Sequence, residues 1–163
     1  MSYLSLICAP YGYMSPEYAV HGRFSVKSDV FSFGVLVLEI ISGKKNRNFS
    51  HPDHGLNLLG HAWRLWNEDR PMRLVDESIN SLWFVEEISR CIHIGLLCVQ
   101  TDPNQRPTMS YVGLMLSGDI SLPSPQPPGF YTDRSNLIEE NSSNQDKDRR
   151  VSNDVTITLL EAR

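Results

Sequence analysis

The run VFSFGVLVLEII from Val30 to Ile41 is apolar on nearly every side, so whatever it forms must be enclosed by the rest of the protein. Periodicity alone admits either a buried helix or a buried strand. The borders decide between them. Ser28 and Asp29 suit the N-cap and first turn of a helix, Gly43 suits its stop, and the enclosed run is long for a strand. At about twelve residues, with Glu39 inside it, the segment is too short to span a bilayer. It is expected to be a central helix around which others pack.

The remaining pattern is helical too. Leu56 to Trp66 carries an apolar face, and Phe84 to Val99 repeats apolar residues at i, i+3 and i+4 more regularly than any other part of the chain. The prolines of TDPNQRP enforce a loop. Thr108 then caps a last helix ending near Ser117, with Gly118 after it. Lys44 to Gly55 reads as a polar loop. The expected class is therefore mainly α.

With 163 residues, 40% hydrophobic and 21% charged, the chain accommodates one modest domain and a tail. A net charge of −4 offers no field for nucleic acid or anionic lipid. Three cysteines fit a reducing compartment: Cys91 and Cys98 lie about 10.5 Å apart along one helix, too far for a disulfide. Met1 to Pro10 has no basic region and too few residues for a signal peptide or membrane span, so no direct membrane insertion is expected.

Three motifs stand in a fixed order: GYMSPEYA at Gly12 to Ala19, SDVFSFG at Ser28 to Gly34, and DPNQRP at Asp102 to Pro107. Together they resemble the C-terminal half of a eukaryotic protein-kinase domain, in its plant receptor-like serine/threonine branch. The resemblance covers about residues 11 to 117. It implies the helical C-terminal lobe of a protein kinase-like fold. It also implies a structural pair, in which Glu17 of SPE meets Arg106 through a charge-assisted bidentate bond that clamps the end of the activation segment to the lobe. Asp29 resembles the aspartate that steadies the catalytic loop. That loop is missing from these 163 residues, so Asp29 reads as a helix-start residue favoured by the N-terminal dipole.

The segment Ala9-Pro10-Tyr11-Gly12-Tyr13 aligns with the family's G-T-Y-G-Y substrate loop, with Pro10 where the threonine would stand. Pro10, Tyr11, Gly12 and Tyr13 are thus a substrate-loop remnant. The first ten residues are an atypical leader, and the break is expected to mark a truncated or misjoined reading frame. The Gly-rich loop, the strand lysine, HRD and DFG do not occur in the sequence. No catalytic, cofactor-binding or metal-ligating residue is expected on this chain, although ATP and magnesium are implied for the full-length family.

From residue 119 the character changes. LPSPQPPGFYTDR is proline-rich and extended in expectation, and Asn136 to Asn153 is polar with little to bury, so a largely disordered tail is expected. PQPPGFYTDR and the closing VTITLLEAR resemble the C-terminal extension of S-domain, or G-type lectin, receptor-like kinases. The resemblance implies a cytoplasmic chain whose full-length relatives sit at the plasma membrane. The expected function is part of a receptor-like serine/threonine kinase, inactive alone. The alternative is a non-catalytic module engaging receptor kinases or ubiquitin ligases. Several other features are read as bland: His51 and His54 as solvated histidines, Trp63, Trp66 and Trp83 as packing, and Asn48 and Asn141 as unused glycosylation patterns. Ser152 follows two arginines and reads as part of a solvated charge cluster.

Overall fold

Ser25, three residues ahead of the expected cap, starts the central helix. Its side chain accepts from the Lys27 amide, and the Ser28 side chain reaches back to the Ser25 amide, closing a capping box. Ser28 is therefore the third residue of the helix rather than its cap. Asp29 lies exposed in the first turn, where its charge suits the helix dipole. The computed structural model describes residues 12–52, 55–79, 84–118 and 120–130.

Among these residues the helices are α1 (Pro16–His21), α2 (Val26–Ser42), α3 (Leu58–Asn67), α4 (Val85–Cys98) and α5 (Met109–Ser117), joined by short 3₁₀ turns. Pro16 at the first position of α1 costs no hydrogen bond, because that N–H would have no helical partner. Asn57 caps α3 by accepting from Gly60, and Thr108 caps α5 by accepting from Tyr111. Gly43 and Gly118 end α2 and α5 in the left-handed conformation.

Two clusters meet on α2 and α4. Phe31, Val35 and Leu38 of α2 pack with Leu58, Leu59, Ala62 and Leu65 of α3 and with Ile92 and Leu96 of α4. Val30 packs with Ile94, Leu97 and Cys98 of α4 and with Val112 and Met115 of α5. The two helices approach closely at small residues. A Cβ built on Gly34 would stand 2.6 Å from Cys98 Cβ, and one on Gly95 would stand 3.0 Å from a Leu38 methyl. Cys91 and Cys98 are both free thiols, and burial pushes Cys98 up to about 12. On the outer side of α2, Leu36 (43%) and Ile40 (61%) remain exposed. No helix among the described residues is long and apolar enough to cross a membrane.

Candidate functional site

Arg106 is fully buried, and all five of its N–H donors are used. Nη1 and Nη2 each reach one Glu17 carboxylate oxygen at 2.9 Å. The others reach the carbonyls of Gln100 (2.7 Å), Lys27 (3.0 Å) and Thr101 (3.1 Å). The guanidinium also lies 5.0 Å from the centre of the Phe31 ring. Glu17, at the start of α1, takes a further hydrogen bond from the Ser28 hydroxyl at 3.0 Å. The helix start, the central helix and the loop before α5 are thereby joined at one guanidinium.

This arrangement governs the response to acid. Burial alone would raise the Glu17 carboxyl, but the Arg106 hydrogen bonds and charge and its own backbone N–H outweigh it and hold it at about 2, against an ordinary 4.5. Its stabilising contribution is complete above about pH 5 and is lost as pH falls from 4.5 toward 2. His61 works in a higher window. Burial, then the charges of His51, Lys44 and Arg64, lower it from 6.5 to about 4, so the unfolded chain takes up a proton that the folded chain resists. Burial also lowers His93. Urea unfolding followed against pH is expected to show stability falling in two stages, and His61→Gln should flatten the upper one. An unchanged slope between pH 6.5 and 4 in that variant would contradict the role given to this imidazole.

Gly12 and Tyr13 sit beside a buried acid. Glu39, 4% exposed, accepts from the Tyr13 hydroxyl, from the Asn46 amide at 2.7 Å and from Lys45 Nζ at 3.2 Å. The hydrogen bond to Glu39 raises the Tyr13 phenol above its ordinary value. Ser32 Oγ donates to the Tyr13 carbonyl (2.7 Å), and Asn46 Nδ2 donates to the Gly12 carbonyl (2.8 Å). Gly12 has φ +132°, a backbone conformation that favours glycine. The loop is thus fixed from below by α2. In the sequence Glu39 stands out only as an acid inside an apolar helix, and that mismatch is the available signal.

Residues 120–130 bring a third component. The segment is extended, as its prolines suggest, but it is docked on the lobe. The Gly129 amide donates to Val99 O (2.8 Å), the Thr101 amide to Pro127 O (3.2 Å), and the Gln126 amide to Gln100 Oε1 (2.7 Å). Arg90 donates to Met115 O and Ile120 O, each at 2.6 Å. Pro125, Pro128 and Gly129 are buried. A Cβ on Gly129 would come within 2.5 Å of Pro16 Cγ. Phe130 follows with φ +59° and meets Phe31 edge-on, ring centres 6.5 Å apart. The physical reason for docking is that Val99, Gln100 and Thr101, at the end of α4, offer unpaired backbone and amide groups that an extended strand can match.

Beside the loop, Gly12, Met14, Asn46, Arg47 and Phe130 line a pocket of about 400 Å³. A second pocket, of about 340 Å³, lies by His51, His61 and three arginines. His51 stacks on His61 at 4.7 Å, and Trp66 packs against His93 at 4.5 Å. Among the described residues no three His, Cys, Asp or Glu side chains gather in one place. Cys8, Pro10, Tyr11, His54, Trp83, Asn141 and Ser152 lie outside the described residues.

Comparison with known proteins extends this geometry. A family model described as protein tyrosine and serine/threonine kinase matches residues 7–116, and one described as a domain of unknown function (DUF3403) matches residues 117–163. The chain is similar to the G-type lectin S-receptor-like serine/threonine-protein kinase SD1-1 of Arabidopsis thaliana, 54% identical over 158 residues, which cover 96% of this chain and 19% of that protein. Its similarity to the cysteine-rich receptor-like protein kinase 8 of the same plant is 54% over 142 residues, covering 86% of this chain and 21% of that protein. The chain therefore spans about a fifth of the length of these curated relatives. Among solved structures, the pseudokinase domain of BIR2, an immune regulator of the RLK/Pelle family, aligns with a TM-score of 0.59 and 30% identity, over 66% of this chain and 32% of that one.

Proposed function

Because the chain belongs to the protein tyrosine and serine/threonine kinase family, we propose that it is the helical C-terminal lobe of a plant receptor-like serine/threonine kinase, contributing the peptide-positioning face to ATP-dependent phosphorylation of protein hydroxyls. The observation that carries this reading is the bidentate Arg106–Glu17 clamp. It fixes the chain just after the Gly12–Tyr13 loop, while Glu39 and Asn46 fix the loop itself. Phosphoryl transfer depends on positioning and on charge stabilisation by a lysine, metal ions and an aspartate base. The 163 residues hold the positioning parts and none of the motifs that supply the rest. In the complete receptor the lobe would face the cytoplasm at the plasma membrane, with ATP and magnesium held by segments outside this sequence.

The polypeptide itself is expected neither to bind ATP nor to transfer phosphate. Differential scanning fluorimetry with ATP and magnesium should leave its melting temperature unchanged, and radiolabelled ATP should leave it and a generic protein acceptor unlabelled. A saturable rise in melting temperature, or autophosphorylation that persists through extensive purification, would overturn the expectation. A second reading, a non-catalytic module engaging receptor kinases or ubiquitin ligases, is favoured by the exposed Leu36 and Ile40 on α2 and by Phe24, 82% exposed before it. Transcript sequencing across the 5′ end separates the two. An in-frame upstream exon encoding HRD and DFG supports the first reading, and a capped message beginning at Met1 supports the second.

A further inference from the structure

We infer that the C-terminal extension is part of the peptide pocket, with Phe130 forming a wall that selects a large apolar side chain in an extended, acid-flanked polypeptide. The inference rests on the reading of the Gly12–Tyr13 loop as peptide-positioning. It adds to that loop a residue from a segment outside the kinase-matching region.

Three observations carry it. Phe130 lines the same pocket as Gly12 and Met14, although more than a hundred residues separate them in sequence. The strap that delivers it is fixed at Val99, Gln100 and Thr101 and wedged at Gly129 between Pro16 and Phe31. Its position is therefore set by the fold. The ring meets Phe31 by an edge-to-face contact yet stays 50% exposed, which leaves apolar surface for a ligand. With Met14 lining the same pocket, this surface suits a leucine or phenylalanine side chain, since burying such a group is the dominant gain available in a cleft of this size.

The polar groups define the rest of the ligand. Asn46 Nδ2 is engaged by the Gly12 carbonyl, whereas its buried Oδ1 has no hydrogen-bond partner among the described residues. A backbone N–H of an extended peptide would supply one once the side chain turns this oxygen, which has almost no exposed surface, toward the pocket. Arg47 lines the pocket as an exposed cation, so acidic residues beside the apolar one add charge complementarity.

The test is a nuclear magnetic resonance titration of the whole 163-residue chain, following the Met14 methyl and the Asn46 side-chain amide. The probes are a nonapeptide of serine and aspartate with one central leucine, and its leucine-to-glycine counterpart. The leucine peptide is expected to shift both signals saturably, and the glycine peptide to bind about tenfold more weakly. Phe130→Ala should weaken the leucine peptide about tenfold without altering the glycine peptide, and Phe130→Leu should restore binding to within about threefold. If neither peptide shifts Met14 in the natural chain, the peptide-positioning reading fails, and the inference with it. If the leucine peptide binds Phe130→Ala as tightly as the natural chain, the wall fails while that reading stands. Should the alanine variant not fold, Phe130→Trp, which keeps the packing and fills the pocket, decides: unchanged affinity for the leucine peptide overturns the inference.

Discussion

Replacing Arg106 with alanine is expected to destabilise the protein by about 3 to 5 kcal/mol, the usual consequence of removing one partner of a buried ion pair. The side chain has no exposed surface, and its loss strips hydrogen bonds from Glu17 and from the carbonyls of Gln100, Lys27 and Thr101. Packing on Phe31 goes as well. Against a typical total stability of about 5 to 15 kcal/mol, that is roughly a fifth or more. Glu17→Ala should cost less, because the guanidinium keeps three carbonyl acceptors and Glu17 itself is 17% exposed. The double variant should resemble Arg106→Ala alone. Arg106→Lys should not rescue, since one ammonium cannot fork to both carboxylate oxygens and three carbonyls. Urea unfolding of the four chains checks this; a loss under about 1 kcal/mol in Arg106→Ala would show the clamp to be dispensable.

Gly34→Ala is expected to destabilise by about 1 to 3 kcal/mol, although alanine is the better helix former by about 0.5 to 1 kcal/mol. The added methyl would stand 2.6 Å from Cys98 Cβ, 2.8 Å from Val99 Cγ1 and 2.9 Å from the Gly95 carbonyl. Two of these are the stem of a side chain and a backbone atom, neither able to swing aside. The α2–α4 seam must therefore open, and both apolar clusters depend on it. Gly113→Ala supplies the opposite sign. Nothing lies within 4 Å of a Cβ at that position in α5, so the same substitution there should stabilise. Denaturation midpoints moving in the same direction for the two variants would refute the steric account.

The Glu17–Arg106 pairing was legible because it rests on two motifs in fixed order, and the central helix because its length and closing glycine leave no other element. The helix start was misplaced by three residues. The capping box used here pairs serine with serine rather than serine with glutamate, and such a box is hard to tell from an ordinary polar turn. Glu39 stood out as an acid in an apolar helix, but its main partner, Tyr13, lies 26 residues away in a loop whose path no local pattern specifies. The strap shows the same limit. Its prolines announce an extended backbone, while its docking depends on groups at the end of α4 that only the assembled fold presents.

The separation of 89 positions between Glu17 and Arg106 also sets a schedule for synthesis. A ribosome adds about 5 to 20 residues per second, so Glu17 is added roughly 5 to 20 s before its partner, and the Gly129 wedge comes later still. While α4 is unmade or still inside the exit tunnel, Phe31, Val35 and Leu38 have no α4 to cover them. A nascent chain stalled after Gln105 would offer these residues to chaperones and proteases. One stalled far enough beyond Phe130 to clear the exit tunnel would have every piece needed to close. For this fold, the exposed interval closes only when the segment carrying Gly129 has left the ribosome.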